Sequence, residues 1–396
     1  MWFSDFRIVL ADRVVERGAL RVENGLIAEI VEAPVAGAAI SGDGALLLAG
    51  FIDLHGDMIE RELEPRPNVK MPLELGLADL DRKLAGCGIT TAYAALSFSP
   101  GSTYGHLRSY DHTSSVIRAV KAAASSLLVD HKIHARFEVT FPKALDVVKE
   151  LMASGNVDLI SLCDHTPGQG QYRDIELIAR NISKAKGLTM DEAMAEIARR
   201  IEDKTQPAEV MAQTLRDISD CCHANHIPLA SHDDDTAEKV SVMKGLGADI
   251  SEFPVSREAA EAAQAQGMLT VMGAPNALRG QSYSGNLSAR EAYADGLLDI
   301  LCADYHPSAM LPAVLTLAQT SDLIAAARLV SLNPAKALGL TDRGEIAVGK
   351  RADLVLASGA GIGRVYETWV AGRCVYSDGA FFTKRSSEDR RAVAFA

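Results

Sequence analysis

Eight short apolar runs, separated by amphipathic stretches, constrain the fold of this chain more than any other feature. They cover Leu46–Leu54, Gly88–Leu96, Lys132–Thr140, Val157–Asp164, Ile227–His232, Ala248–Phe253, Leu269–Met272 and Leu298–Ala303. Between them lie helical patterns such as FPKALDVVKELMASG, TMDEAMAEIARRIEDK and SREAAEAAQAQG. Thr189 with Glu192, and Ser288 with Glu291, have the spacing of a capping box, in which hydroxyl and carboxylate satisfy the free N–H groups at a helix start. Apolar strands alternating with helices are the pattern of a parallel sheet covered on both faces. Eight such units predict an α/β fold, a (β/α)8 TIM-type barrel. An open doubly wound sheet is the rival, but no GxGxxG turn opens a first strand–helix unit.

The two ends of the chain are of another kind. Residues 5–48 alternate short β-rich segments with turns, among them a tight hairpin turn at ENG. GEIAVGKRADLVLA and GRVYETWVAGRCVYSDG near the other end read alike. The ends are expected to pair into one small sheet domain of residues 1–48 and 345–396, with residues 49–344 forming the barrel. The charged tail from Ser386 is expected to be loose.

A formal charge of −12 argues against partners that need a basic face, so neither nucleic acid nor an anionic membrane surface is expected. It is silent on an anionic small substrate, which a local basic pocket can hold. No run approaches the roughly 18 apolar residues of a membrane span. The opening MWFSDFRIVLADRVVERG carries charges where a secretory signal needs an apolar core. Six cysteines without a CxxC pair read as reduced thiols of a cytoplasmic protein.

Polar residues recur where the predicted strands end. GFIDLHGDMIE gives His55 and Asp57, two apart and so on one face of a strand. HARFEVT gives Glu138, DLISLCDHTPGQGQ gives Asp164 and His165, IPLASHDDDT gives His232 and Asp233–Asp235, and LLDILCADYH gives Asp304. In a barrel these ends meet at one mouth, where active sites are built. Three histidines and three carboxylates there supply enough nitrogen and oxygen ligands for one or two divalent ions. Taken singly, each has a plain reading as a capped turn, a satisfied core group or a solvated acid. Glu138 in particular could instead pair with Arg136 or a lysine, and Asp233–Asp235 could simply open a helix. Cys163 and Cys302 read as small buried fillers, and the remaining histidines, His134 among them, as non-ligands.

LLAGFIDLHGD behind a β-rich start, with NPAKALGLTDRGEIAVGKRADLVLA near the end, resembles the metal-dependent amidohydrolase superfamily. That superfamily usually carries His-x-His on its first strand, whereas this chain has His55-x-Asp57. The departure is similar to a subgroup acting in phosphonate breakdown by the carbon–phosphorus lyase pathway. PRPNVK, SLCDHTPGQGQ, ASHDDDT, EFP, MGAPNALRG, SGN and LLDILCADYHP extend that likeness over most of residues 5–375.

The resemblance implies a barrel with a small β-sandwich domain built from both chain ends. It implies a hydrolase that splits the 5-triphosphate of a ribose methylphosphonate into a 5-phosphate and diphosphate. His55, Asp57, Glu138, His165, His232 and Asp304 would carry the metal, zinc first, with manganese or iron fitting the same ligands. Glu138 would bridge, and Asp304 would also accept a proton from the attacking water. Arg279, Gly280, Ser282 and Ser284, with Arg66 and Lys70, are the candidates for the phosphates, and Gln169 and Gln171 for ribose hydroxyls. A homodimer is the expectation from the frequency of twofold assemblies. The alternative function is an amidohydrolase acting on a C–N bond, a deaminase or N-acyl amidase.

Overall fold

The computed structural model describes residues 1–66, 69–99, 106–282 and 285–381. The tail from Ser386 lies outside the described residues. Eight parallel strands, Phe51–Gly56, Ile89–Phe98, Asp130–Glu138, Leu159–Cys163, Leu229–His232, Ile250–Glu252, Leu269–Gly273 and Ile300–Cys302, hydrogen-bond in sequence order. Each is numbered below by its place in that order. The sheet closes where Gly56 meets Asp304: Asp304 N donates to His55 O, and Asp57 N to Asp304 O, both at 2.9 Å. This is the expected (β/α)8 barrel.

The apolar runs are explained by burial on both sides. Ile52, Leu54, Leu159, Ala230, Ile250, Val271 and Ile300 fill the barrel interior. A larger cluster, including Leu80, Ile117, Val148 and Val314, packs the helices against the outer face. Both capping boxes form, at Met190–Lys204 and Ala289–Ala294. Three helices rather than one separate the fourth and fifth strands. Ile175–Lys186 and Met190–Lys204 make a hairpin closed on its own small core of Ala179, Ala193 and Ile197, and Ala208–Asn225 returns to the barrel wall.

The chain ends share one further sheet. Trp2–Val9, Val14–Glu23, Leu26–Val31, Ile40–Ser41 and Leu46–Ala49 join Leu354–Ser358, Arg364–Val370 and Arg373–Ser377 from the other end. Strands from both ends pack on a common core, where Phe3 meets Trp369 edge-on at 5.0 Å. The ENG turn forms as expected, with Asn24 and Gly25 both left-handed.

One expected strand is two. Leu46–Ala49 pairs antiparallel with Leu354–Ser358 in the terminal sheet, whereas Phe51–Gly56 opens the barrel. Gly50 is the junction, its N–H bonded to Asp353 O at 2.8 Å. A Cβ there would fall inside the Thr90 side chain, so only glycine lets the chain pass between the two sheets. An apolar run gives no sign of a change of partner, which is why the sequence reads as one strand.

Arg343 ties the stem of the terminal domain to the foot of the barrel. It bonds Thr91 Oγ1 at 3.0 Å on the second strand and Asp130 Oδ2 at 2.6 Å on the third. Asp342 holds the rest of its fork. Removing one partner of a largely buried pair typically costs about 3–5 kcal/mol, less where solvent reaches the pair. Arg343→Met is therefore expected to lower stability by about 2–3 kcal/mol. The check is the midpoint of urea unfolding followed by the fluorescence of Trp2 and Trp369.

Candidate active site

The third strand alternates its side chains so that His134, Arg136 and Glu138 all point into the barrel, and all three are buried. Arg136 lies at the centre of the mouth. Its Nη1 bonds both Asp57 oxygens, at 2.9 and 3.0 Å. Its Nη2 stands 3.4 Å from His165 Nε2 and 3.2 Å from His232 Nε2. One guanidinium thus draws together residues from the first, third and fifth strands and from the end of the fourth.

Behind each histidine stands a carboxylate. His165 Nδ1 is 2.6 Å from Glu138 Oε2, His55 Nδ1 is 3.2 Å from Glu252 Oε1, and His232 Nδ1 is 3.3 Å from Asp233 Oδ2. An ionised carboxylate only accepts, so the proton sits on Nδ1 of His165 and its Nε2 lone pair faces the mouth. A carboxylate behind an imidazole is the usual support of a metal-binding histidine.

Burial and charge set the protonation of these groups. Burial works against the charge of His55, yet Glu252 and Asp57 lift it to about 10. Burial also opposes ionisation of Glu138 and Glu252, but neighbouring histidines hold both near about 2. Burial and the Asp57 charge push Asp304 up to about 7. Burial depresses His134 to about 3, keeping it neutral. Glu252 Oε2 is buried here without a hydrogen bond. Two groups of ligand atoms, from His55, His134 and Glu252 and from Cys163, His165 and His232, each lie within 4.8 Å of one another. Orphaned oxygen, supported imidazoles and this donor set fit a divalent cation.

The backbone is strained where the strands end. Asp233, Phe253 and Asp304, which directly follow the fifth and sixth strands and close the eighth, are left-handed at φ 54, 53 and 54°. Such conformations cost about 1–3 kcal/mol each and persist where the surroundings hold them. Here Asp233 N bonds Glu252 O, Phe253 N bonds Val271 O, and Asp304 N bonds His55 O.

The structure brings His55, Asp57, His165, His232 and Asp304 to one mouth. Glu138 stands behind His165: its oxygens are taken by His165, Thr140 and Lys204, at 2.6–3.3 Å. The alternative pairing of Glu138 with a lysine is met by Lys204, whereas Arg136 turns to Asp57. The acids after His232 do not open a helix, which starts at Ala237 with Thr236 as its cap. Asp234 instead accepts from Ser231 and Ser251, and Asp235 from Gly170 N at 2.9 Å. Cys302 is a filler of the barrel core.

A cavity of about 360 Å³ opens above these groups. Arg279, Ser282, Gln171, Asn276, Asn286 and Tyr305 line it beside the mouth residues. Gly280 ends the short helix Ala274–Arg279 in a left-handed conformation and is not among the lining residues. Arg66 and Lys70 are exposed, and neither they nor Gln169 line this cavity. Ser284 lies outside the described residues.

Sequence reasoning missed Arg136 as a mouth residue, together with His134 and Glu252. The alternation His134, Arg136, Glu138 was the available signal for the first two. Glu252 was signalled only by its place at the end of the sixth strand.

The fold and this site define a class. The model of the Amidohydrolase family matches residues 290–376. The alpha-D-ribose 1-methylphosphonate 5-triphosphate diphosphatase of Escherichia coli (strain K12) is 37% identical over 365 residues, covering 90% of this chain and 95% of that protein. The chain therefore belongs to the amidohydrolase family and to the group of that diphosphatase. Among solved structures, 5-methylcytosine deaminase from Klebsiella pneumoniae aligns with a TM-score of 0.63 at 15% identity, over 95% of this chain and 97% of its own. N-acetyl-D-glucosamine-6-phosphate deacetylase from Mycobacterium smegmatis gives 0.63 at 15%, over 95% and 100%. At that identity the two attest the fold alone. Among the described residues no helix is long and apolar enough to cross a membrane.

Carboxylates behind metal-binding histidines typically contribute about 10–100-fold to metal affinity. Glu138→Gln is expected to weaken binding of a divalent ion by about that factor while the circular dichroism spectrum stays unchanged. Competition with a chromophoric chelator measures it.

Proposed function

We propose that this protein is a metal-dependent hydrolase acting on alpha-D-ribose 1-methylphosphonate 5-triphosphate in phosphonate breakdown. Water cleaves the bond between the first and second phosphates, leaving the ribose 5-phosphate and releasing diphosphate. The observation that carries the reading is the 37% identity to the diphosphatase over 95% of its length. The arrangement of the mouth supports it: Arg279 and Ser282 line a cavity that also contains Asp57, His232 and Asp304.

His55, Asp57, His165, His232 and Asp304 are the residues that would hold the metal, with zinc first and manganese or iron alternatives. When bound, the ion supplies Lewis acidity towards phosphoryl oxygens and towards water. Glu252 and Glu138 hydrogen-bond the rings of His55 and His165 from behind, and Asp233 stands 3.3 Å behind that of His232. Asp304, beside His55 and Asp57 where the eighth strand meets the first, is placed to take a proton from the attacking water. Arg279 offers a planar fork of donors to the outer phosphates, whose charge builds as diphosphate leaves. Ser282, Gln171 and Asn276 add neutral donors around the ribose triphosphate. Hydrolysis of a C–N bond in a substrate that carries no phosphate would leave Arg279 no phosphate to bind.

Purified protein incubated with the ribose phosphonate triphosphate and zinc or manganese is expected to release diphosphate, followed by phosphorus NMR. Prior chelation should stop turnover, and added metal should restore it. Metal-loaded protein that releases no diphosphate would overturn the assignment. Arg279→Ala is expected to raise KM at least tenfold. Asp304→Asn should instead lower kcat by about 10²–10⁴, the usual range for loss of a general base.

A further inference from the structure

We infer that Arg61, lying over Tyr305 at the rim of the mouth, binds the anionic group on C1 of the ribose, an alkylphosphonate ester with one negative charge. The inference rests on the hydrolase reading above and adds to it the residue that tells this substrate from a plain ribose triphosphate.

The helix Ile59–Leu63 leaves the first strand at the mouth, and its acids are each taken by another cation. Glu60 is held by both arms of the Arg108 fork, at 2.8 and 2.7 Å, and Glu62 accepts from Lys83 at 3.2 Å. Glu64, at the end of the helix, pairs with His106. Arg61 is exposed, and its guanidinium makes no hydrogen bond or ion pair among the described residues. It lies instead over the ring of Tyr305, 5.9 Å from the centroid. Tyr305 directly follows Asp304 and lines the cavity. A positive charge thus stands at the edge of the cavity, held by a ring rather than by an acid.

That mode of attachment keeps the charge available. A guanidinium drawn to an aromatic ring spends none of its N–H donors on the contact. Its planar fork matches the two non-bridging oxygens of a phosphonate ester. The Tyr305 ring beside it offers apolar surface to a small alkyl group on the phosphorus. The position around the barrel fits the same ligand. Arg279 follows the seventh strand and Arg61 the first, and the eighth, which leads into Asp304, lies between them in the closed sheet. A substrate cut beside Asp304 carries negative charge on both sides of the scissile bond, the outer phosphates on one and the C1 phosphonate on the other. With the outer phosphates at Arg279, Arg61 is left for the opposite end.

Two substrates that differ only at C1 test this: ribose 1-methylphosphonate 5-triphosphate and ribose 5-triphosphate. Diphosphate release gives kcat/KM for each. The unaltered protein is expected to favour the phosphonate by about 10–100-fold, the range of a charge-assisted hydrogen bond. Arg61→Ala and Arg61→Gln should bring the ratio close to one, and Arg61→Lys should keep part of it. Arg279→Ala should lower both values together and preserve the ratio. Calorimetry with the product pair, ribose 1-methylphosphonate 5-phosphate and ribose 5-phosphate, is expected to show the same preference without turnover, and its loss in Arg61→Ala. Equal kcat/KM for the two substrates in the unaltered protein would overturn the inference, as would a folded Arg61→Ala that keeps the full ratio. Either result leaves the hydrolase reading standing. Release of diphosphate from neither substrate by metal-loaded protein would remove that reading and this inference together.

Discussion

The closure of the barrel between its first and eighth strands is the constraint on which the site depends. Asp53 makes much of that seam. It is fully buried, and its Oδ1 accepts from His55 N at 3.2 Å and from Ala303 N at 2.8 Å. Burial pushes its carboxyl up to about 6. The bonds between His55, Asp57 and Asp304 backbones continue the seam to the mouth. The residues that close the barrel are thus neighbours of, or identical with, those proposed to do chemistry. A parallel sheet that failed to close here would leave the first-strand and eighth-strand groups at opposite edges.

Once the barrel is closed, eight strand ends deliver far more acid than base to a confined volume. The structure answers with paired devices. Arg136 neutralises Asp57, Lys204 neutralises Glu138, and Lys239 Nζ lies 3.8 Å from Asp234 while bonding the carbonyls of His232 and Asp233. At the centre, Glu252 Oε2 is buried without a hydrogen bond beside His55 and His134. That unsatisfied oxygen gives a cation reason to bind.

Much of this was legible in the sequence because parallel barrels are written in strong, local signals. Runs buried on both faces, capping boxes at Thr189 and Ser288, and the Asn24-Gly25 turn all arise from short-range physics. The mouth residues followed from topology, since strand ends must converge. What was not legible depended on which partner a residue would meet. Leu46–Leu54 gives no sign of leaving one sheet for another at Gly50. Glu138 on an inward face could bind an ion or support a ring, and only the structure shows its Oε2 2.6 Å from His165 Nδ1. Arg136 looked like a partner for Glu138 because the two share a strand; Asp57, from another strand, took it instead.

The helical hairpin between the fourth and fifth strands carries one more implication. Its last residue, Lys204, reaches across to the carboxylate that steadies His165. Lifting the hairpin from the barrel would strip that carboxylate of its counter-ion and slacken the imidazole in front of it. An excursion that looks like surface decoration is thereby tied to the residues of the mouth through one lysine.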